Sequence, residues 1–257
     1  MKTFKLEAKI LSQNKIKDSY WHCELSSAKV AKHVLPGQFI NIRMSDKCDP
    51  LLRRPISVHG VKGERIEILY EVVGKATEIL SRKKAGELLD IIGPLGNGFK
   101  RKAAKEQIIV SGGMGVAPLV FLTQRLGGAK TTALIGARTK SQLLCVNDFK
   151  KLGCSVRAAT DDGSAGFKGK VSDLLIELLR KPKTENRARN IYACGPRAML
   201  KAISDISIKY AVPAQVSLEE HMSCGIGACL GCMVKTKEGL KRVCKEGPVF
   251  NAQDLIW

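Results

Sequence analysis

The chain has 257 residues, of which 44% are hydrophobic, and a formal net charge of +19. This length exceeds that of a usual single domain, so we expect two or three compact units. The longest nearly apolar stretch, residues 108–122, contains a serine and glycines and falls short of the roughly 20 residues that span a bilayer. We therefore expect no membrane partner and no membrane span.

The positive charge is concentrated in residues 1–212, whereas residues 213–257 carry equal numbers of basic and acidic side chains. The basic side chains are interspersed with acids, and aromatic residues make up only 5% of the chain. Nucleic-acid binding usually needs a basic surface with stacking aromatics, so we expect no nucleic-acid partner. The N-terminus lacks the continuous apolar core of a secretory signal, which predicts a cytoplasmic protein.

The first hundred residues alternate apolar and polar side chains in several short runs, which is typical of β-strands. These runs lie at residues 4–10, 40–44 and 66–72, and turn signals occur at Pro36-Gly37, Lys62-Gly63 and Gly93-Pro94. One short helix is expected near residues 77–83. The pattern predicts a small antiparallel β-barrel over residues 1–100.

Strands and helices alternate after residue 100, which predicts a doubly wound parallel sheet over residues 101–212. Strands are expected at residues 108–110, 131–135, 155–159 and 191–194, and helices at 116–126, 171–179 and 198–210. Residues 213–257 form a third predicted unit that is too small for a core of its own. The predicted fold class is therefore multi-domain, with a β-barrel, an α/β domain and a small C-terminal domain.

Four of the nine cysteines are bunched near the C-terminus with the spacing C-x4-C-x2-C-x11-C: Cys224, Cys229, Cys232 and Cys244. The first three match the plant-type [2Fe–2S] spacing. Small residues between them let backbone N–H groups approach sulfur. Structural zinc and unligated buried thiols are the alternatives, but zinc sites usually show two C-x2-C pairs and here there is one. Cys23, Cys48, Cys145 and Cys154 are isolated, and we expect them to be packed thiols.

A glycine turn at residues 112–118 follows a predicted strand and opens a helix, where a pyrophosphate could reach backbone N–H groups. Such a turn can also be a tight connection without a ligand. A second element, Cys194-Gly195-Pro196, ends a later strand of the same sheet, and two strand ends facing one crevice form a nucleotide site. The segment Arg53-Arg54-Pro55-Ile56-Ser57 pairs a guanidinium with a hydroxyl on a strand, although by itself it could be a strand edge with surface arginines.

Taken in order, these motifs resemble the ferredoxin reductase-type flavoproteins, and within them the electron-transfer subunits of dihydroorotate dehydrogenase B. The resemblance rests on the following segments: Pro36-Gly37-Gln38-Phe39, Arg54-Pro55-Ile56-Ser57, Leu69-Tyr70-Glu71, residues 93–99, the turn at Gly112, residues 160–164, and Ser217-Leu218-Glu219-Glu220 before Cys224. One segment departs from the pattern. Where the family has Gly-x-Gly-Thr for the FAD phosphates, this chain has Gly74-Lys75-Ala76-Thr77, and a methyl group could disfavour a positive φ or a close phosphate contact.

The resemblance implies three cofactors: FAD in the barrel, NADH in the α/β domain, and a [2Fe–2S] cluster in the third unit. NADPH stays an alternative to NADH, because Arg138 and Lys140 could contact a 2′-phosphate. The implied FAD contacts are Arg54, Pro55, Ile56, Ser57, Leu69, Tyr70, Glu71, Ala76 and Thr77. The implied nucleotide contacts are Gly112, Gly113, Gly115, Ala117, Pro118, Gly195 and Pro196. Ser57 and Cys194 are expected beside the reacting flavin and nicotinamide, and the four bunched cysteines are the expected cluster ligands.

The function implied is electron transfer between NADH and the FMN of a separate dihydroorotate dehydrogenase catalytic subunit, in a heterotetramer with two copies of each chain. One alternative is the small subunit of an NADPH–ferredoxin transhydrogenase or sulfide dehydrogenase, in which one cluster cysteine is often replaced by aspartate. A second is a zinc-stapled nucleotide-binding module without redox activity. The uncharged loop Cys224–Met233, with Ile226 and Leu230, is the expected docking surface for the partner, unless these side chains pack inward.

Overall fold

Two sheets dominate the computed structural model, which describes residues 2–45, 48–180 and 188–257. One sheet closes into a six-stranded antiparallel barrel, and the other, in the described part of the chain, is a seven-stranded and mainly parallel sheet. The predicted fold class is therefore confirmed. Within the same ranges, no helix is long and apolar enough to cross a membrane.

The barrel strands follow one another around the barrel in the order β1-β2-β5-β4-β3-β6. Their bounds, with those of two helices, are β1 (Phe4–Lys17), β2 (Tyr20–Ser26), α1 (Ala28–His33), β3 (Phe39–Ile42), β4 (Arg54–Lys62), β5 (Arg65–Glu71), α2 (Lys75–Arg82) and β6 (Leu88–Leu95). Inward-pointing apolar residues, among them Ile40, Ile42, Ile66 and Ile68, fill the interior. Successive side chains of each strand point alternately into this core and outward, as expected for a small closed barrel.

Gly93-Pro94 was expected to mark a turn, and this expectation is wrong, because both residues lie inside β6. A β-carbon at Gly93 would lie 2.6 Å from Cγ2 of Ile40 on the neighbouring strand β3. The glycine therefore allows close packing between two strands. The helix α1 was also not predicted from the sequence.

The second sheet has the strand order β10-β9-β8-β7-β11-β12-β15. Its parallel strands and their helices are β7 (Glu106–Gly112), α3 (Val116–Leu126), β8 (Thr131–Ala137), α4 (Val146–Lys151), β9 (Ser155–Thr160), β10 (Phe167–Lys168), α5 (Val171–Arg180), β11 (Arg189–Cys194), α6 (Arg197–Lys209) and β12 (Ala214–Ser217). Helices α5 and α6 pack with Ile108 and Val110 on one face, and α3 and α4 pack with Ile109 on the other. This is the doubly wound arrangement.

The part of the chain after α6, here called the C-terminal unit, contains the hairpin β13 (Met233–Thr236) and β14 (Gly239–Arg242) and a last strand, β15 (Val249–Asn251). Strand β15 pairs antiparallel with β12, so the large sheet includes two strands from this unit. Its buried residues, such as Cys232 and Val243, share the core of the α/β domain. Strand pairing with the large sheet therefore stabilises the C-terminal unit, in addition to any metal centre that its cysteines bind.

Candidate functional site

A cavity of about 690 Å³, here called the barrel cavity, opens beside strands β4 and β5. Its size lies within the range of ligand pockets in proteins. Most of the predicted FAD contacts line it: Arg54, Pro55, Ile56, Ser57, Leu69, Tyr70, Glu71 and Thr77. Strands β4 and β5 are neighbours in the barrel, so residues distant in sequence form one continuous wall.

Ala76 is the predicted FAD contact that does not line the barrel cavity. It lies within α2, and its side chain packs in the barrel core. The sequence raised the concern that the methyl group of Ala76 would disfavour a positive φ. This concern does not apply, because Ala76 has a helical backbone and no positive φ. A β-carbon added at Gly74 would have no neighbour within 4 Å, so the backbone before α2 stays open to a phosphate.

Thr77 stabilises the start of α2 with its hydroxyl. The backbone N–H of Val73 donates to Thr77 Oγ1 at 3.0 Å, and this hydroxyl donates to the carbonyl of Gly74, also at 3.0 Å. Such local side-chain bonds fix a turn ahead of a helix. Thr77 thus stabilises a part of the cavity wall, which Arg54 also lines.

The barrel cavity also has walls from the other two units, and apart from Ala117, which was expected at the nucleotide, the sequence did not assign these residues to a site. Helix α3 and the turn before it supply Ala117 and Met114, and α6 supplies Arg197. The C-terminal unit supplies Ser217, Leu218, Glu219, Glu220, His221, Met222 and Pro248. One sequence feature pointed to these residues: segment 217–220, which is part of the family resemblance. The sequence did not show where this segment lies in the fold. Tertiary packing brings it against the barrel.

Glu219 lines the barrel cavity, and Cys194 lies buried close enough to feel its charge. Desolvation raises the pKa of Glu219, although the open cavity leaves its side chain accessible to solvent. Burial, together with the nearby Glu219 charge, raises the pKa of the Cys194 thiol well above its usual value. Cys194 is 1% exposed and lines neither of the two cavities described here. It therefore stays a protonated thiol behind the wall.

A second cavity of about 600 Å³, here called the sheet-edge cavity, lies where β7, β8, β9 and β11 end. The strand order reverses between β7 and β11, which is the usual place for a nucleotide in such a sheet. Gly112, Gly113 and Pro196 line it, as expected, together with Arg138, Asp161 and Lys170. Arg138 is thus a cavity residue, whereas Lys140 is not among its lining residues.

The glycines of the turn after β7 and of the turn after β11 differ in the atoms that an added β-carbon would meet. A β-carbon at Gly113, where φ is +52°, would meet nothing within 4 Å. A β-carbon at Gly115 would lie 2.2 Å from the carbonyl oxygen of Cys194, and one at Gly195 would lie 2.6 Å from Met199. Gly115 and Gly195 therefore serve close packing between strand ends. Gly113 keeps the backbone open toward the cavity.

Gly115, Ala117, Pro118 and Gly195, all expected at the nucleotide, are not among the residues that line the sheet-edge cavity. Ala117 instead lines the barrel cavity, and Pro118 is buried within α3. The two cavities meet at Glu71 and Met114, which line both. A ligand in one cavity therefore lies next to a ligand in the other.

The ligand loop, residues 224–232, directs backbone donors at its own sulfurs. The N–H groups of Ala228 and Cys229 donate to Cys224 Sγ at 3.3 and 3.4 Å, and that of Gly231 donates to Cys229 Sγ at 3.5 Å. The N–H of Cys244 donates to Cys232 Sγ at 3.4 Å. Donors of this kind stabilise thiolates and help set the potential of an iron–sulfur cluster.

The four thiols approach one another in two pairs, Cys224 with Cys229 and Cys232 with Cys244. Within the described ranges, no three side chains of Cys, His, Asp or Glu converge on one point to hold a single ion. A tetrahedral zinc ion needs four donors around one centre, whereas two irons bridged by sulfide take the four thiolates two by two. The contacts of Cys224 with Cys229 and of Cys244 with Cys232 fit the two-by-two ligation of a [2Fe–2S] cluster.

Cys224 and Cys244 differ in the pKa of their thiols. Burial opposes ionisation of Cys224, but the N–H groups of Cys229, Ile226 and Ala228 outweigh it and lower the pKa of its thiol to about 6. Burial and the neighbouring Cys232 raise the pKa of the Cys244 thiol to about 12. A thiolate is the form that binds metal, so Cys224 is better prepared as a ligand than Cys244.

Among the isolated cysteines, burial raises the pKa of Cys23 to about 12 and that of Cys154 to about 11. Burial likewise raises the pKa of Cys145. Cys48 is exposed, which differs from the expectation of a packed thiol. It lies between β3 and β4.

The barrel, the sheet with its reversal point and the paired thiols together define an iron–sulfur flavoprotein oxidoreductase of the ferredoxin reductase type. Family models match residues 219–256, as the iron-sulfur cluster binding domain of dihydroorotate dehydrogenase B, and residues 109–205, as an oxidoreductase NAD-binding domain. The electron transfer subunit of dihydroorotate dehydrogenase B (NAD(+)) from Desulforamulus reducens is 42% identical, over 98% of each chain. That of Clostridium acetobutylicum is 40% identical, over 96% of each. The chain belongs to this family of electron transfer subunits.

Solved structures agree with this assignment. A structure of the NADH-dependent reduced ferredoxin-NADP oxidoreductase, described for flavin-based electron bifurcation, matches with a TM-score of 0.84 and 32% identity, covering 97% of this chain and 90% of the other. A ferredoxin NADP+ reductase from Neisseria gonorrhoeae matches with a TM-score of 0.66 and 15% identity, covering 80% and 91%, which shows the fold alone. The predicted family, its oxidoreductase class and its cofactor set of FAD, NADH and a [2Fe–2S] cluster are thus confirmed.

Proposed function

We propose that the chain carries electrons between NADH and the FMN of a separate catalytic subunit, which interconverts dihydroorotate and orotate in pyrimidine biosynthesis. The observation that most strongly supports this route is that the two cavities share residues and that the barrel cavity reaches the segment just before the ligand loop. Glu71 and Met114 line both cavities. Met222 lines the barrel cavity two residues before the first cluster ligand, Cys224.

The barrel cavity is the proposed FAD site. When bound, FAD accepts a hydride from NADH and passes electrons one at a time to a [2Fe–2S] cluster. Arg54 and the open backbone at Gly74 would hold the phosphates, and the Ser57 hydroxyl would donate a hydrogen bond to the flavin ring. Cys194 would act from behind the cavity wall, as a buried thiol that keeps its proton and adds no charge near the nicotinamide.

The sheet-edge cavity is the proposed NADH site. Gly112 and Gly113 would admit the pyrophosphate at the start of α3, and Arg138 and Lys170 would supply positive charge. We propose NADH rather than NADPH because the family names specify NAD(+). Gly115 and Gly195 would act indirectly, by letting the two strand ends approach closely.

We propose the domain ranges 1–100, 101–212 and 213–257 for the FAD, NAD and cluster units. The sheet extends past the second boundary, since β12 and β15 belong to it. The cluster unit would thus be an appendage of the nucleotide domain rather than a freely moving module.

The ligand loop is the proposed docking surface for the FMN subunit. The complex would be a cytoplasmic heterotetramer with two copies of each chain. Ile226 and Leu230 are 53% and 57% exposed, so these two apolar side chains do not pack inward. An apolar and uncharged patch beside an electron donor suits a partner interface. Ile226→Glu should preserve the cluster spectrum yet weaken assembly with the FMN subunit in size-exclusion chromatography. Leu240→Glu, at another exposed apolar side chain of the same unit, is the control.

Anaerobic purification followed by flavin, iron and acid-labile sulfide analysis tests the proposal as a whole. We expect one FAD and one [2Fe–2S] cluster per chain, and dihydroorotate-dependent reduction of NAD+ once the FMN subunit is added. Stoichiometric zinc without sulfide would instead support the zinc-stapled alternative. The transhydrogenase alternative has one observation in its favour, the 32% identity to the NADH-dependent reduced ferredoxin-NADP oxidoreductase. Electron transfer to ferredoxin without any activity toward dihydroorotate would support it.

A further inference from the structure

Asn41 is a buried amide in the middle of the barrel strand β3. It is 1% exposed, and its Nδ2 donates to the carbonyl oxygen of Cys224 at 3.1 Å. The two residues are 183 positions apart in sequence. This hydrogen bond therefore ties the flavin-binding barrel directly to the first cluster ligand.

Strand β3 has two buried faces, and Asn41 lies on the outer one. Ile40 and Ile42 point into the barrel core. Phe39 and Asn41 point the other way, because successive side chains of a strand alternate. Phe39 lines the barrel cavity, and Asn41 contacts the ligand loop. One face of a single strand thus touches both proposed redox sites.

The amide orientation of Asn41 is set by its partner. A carbonyl oxygen can only accept, so the nitrogen of Asn41 must face Cys224. The other atom of the amide, Oδ1, is buried and has no hydrogen-bond partner in the described part of the chain. An unsatisfied buried acceptor costs about 1–3 kcal/mol, which an apolar side chain at this position would avoid. Packing alone therefore does not account for an asparagine here.

The loop is shaped to receive Asn41. Gly225 follows the first ligand with φ of +69°, and a β-carbon there would lie 2.5 Å from Asn41 Nδ2. A second anchor, Arg242, donates from Nη1 to the carbonyl of Gly227 at 2.9 Å. Arg242 belongs to the C-terminal unit itself and is held there by Glu246. Arg242 thus holds the loop to its own unit, while Asn41 holds it to the barrel.

We propose that Asn41 is a positioning residue that sets the place of the cluster relative to the flavin. The inference rests on the proposed function, since it requires both cofactors. It assigns Asn41 a role in electron transfer between the two sites, whereas Arg242 maintains the ligand loop. Neither role requires contact with substrate.

The test uses the full-length protein with both cofactors and the variant Asn41→Leu, which keeps the branching at Cγ and the number of heavy atoms but removes the donor. We expect FAD content and flavin reduction by NADH to match wild type. The rate of cluster reduction after flavin reduction should fall roughly tenfold, as for other supporting contacts of metal sites. The electron paramagnetic resonance spectrum of the reduced cluster should also broaden or split, because the loop can then adopt more than one position.

Asn190→Leu is the matched control. Asn190 is also buried and also donates to a carbonyl, that of Lys102 at 3.1 Å, but it lies in β11 away from the cluster. It should leave both the spectrum and the rate unchanged. If Asn41→Leu does not fold, Asn41→Asp provides the test. Aspartate has nearly the same size as asparagine, but it has a carboxylate oxygen in place of the Nδ2 donor.

Three outcomes would overturn the positioning role. The first is an Asn41 variant with wild-type cluster spectrum and wild-type rate of cluster reduction. The second is an equal effect in Asn190→Leu, which would make the loss a general cost of a buried amide. The third is a rate that falls in step with FAD content. A wild-type protein that binds no iron and sulfide would be a failure of the proposed function instead, and it would be visible before any variant is made.

Discussion

The ligand loop and the barrel cavity are built in opposite ways. The loop takes three ligands from one short segment, and its own backbone donors contact two of the three sulfurs. The barrel cavity takes its walls from three units, from Phe39 on β3 to Pro248 near β15. A local site can be removed by one substitution without harm to the rest, whereas a distributed site depends on how the units pack. The predictions below test this contrast.

The largest effect should come from Cys229→Ser. Loss of one thiolate removes a ligand that no neighbouring side chain replaces, so the cluster should be lost completely. FAD should remain, because none of the residues that line the barrel cavity belongs to the ligand loop. Iron, sulfide and flavin analysis of the purified variant measures both. Cys48→Ser, at an exposed cysteine outside the loop, should keep all three. Loss of both cofactors in Cys229→Ser would mean that the two sites are not independent.

Gly115→Val should destabilise the nucleotide domain by about 3 kcal/mol, because overpacking forces the backbone apart. Its β-carbon would collide with the carbonyl of Cys194, at the point where two strand ends meet. We expect weaker NADH binding together with a lower melting temperature. Gly113→Ala, with open space but a φ of +52°, should cost only about 1–2 kcal/mol. Equal stability of the two variants in chemical denaturation would contradict the packing role of Gly115.

Ser57→Ala should reduce the rate of flavin reduction by NADH about fivefold, the effect of one lost hydrogen bond of about 1 kcal/mol. The hydroxyl lies on the wall of the barrel cavity, so we expect FAD content to stay near wild type. Stopped-flow absorbance gives the rate. Ser81→Ala on α2, whose hydroxyl donates to Glu78 outside the cavity, is the control. An unchanged rate in Ser57→Ala would place this hydroxyl away from the flavin.

The smallest effect concerns the contact between the barrel and α3. His59 on β4 donates from Nδ1 to the carbonyl of Ala117 at 2.8 Å, and burial lowers the pKa of His59. As pH falls below about 6.5, the unfolded chain binds a proton that the folded chain resists, so the free energy of unfolding should fall. His59→Gln keeps a donor but cannot titrate, so it should lose less stability between pH 7 and 5.5, by about 1 kcal/mol.

Urea denaturation at several pH values measures that slope. If His59→Gln and wild type lose stability in parallel, other groups cause the pH dependence.

Much of this architecture follows from the sequence alone. Alternating apolar residues gave the barrel strands at Ile40 and Ile66, and the glycine turn at Gly112 gave the strand-to-helix connection. The cysteine spacing predicted the cluster, because ligand spacing and backbone donors within one short segment are local properties of the chain. The Arg54–Ser57 motif likewise lies on the cavity wall as predicted.

Tertiary structure alone decided how these parts meet. Segment 217–222 closes the barrel cavity, and Glu71 and Met114 join the two cavities, only because β5, α3 and the C-terminal unit pack together. Gly115 looked like a cofactor contact, but its neighbour is the backbone of Cys194 on a distant strand. The contact between Asn41 and Cys224 joins residues too far apart for any local pattern to indicate. Periodicity and spacing report local geometry, whereas contacts across units arise from the packing of whole elements.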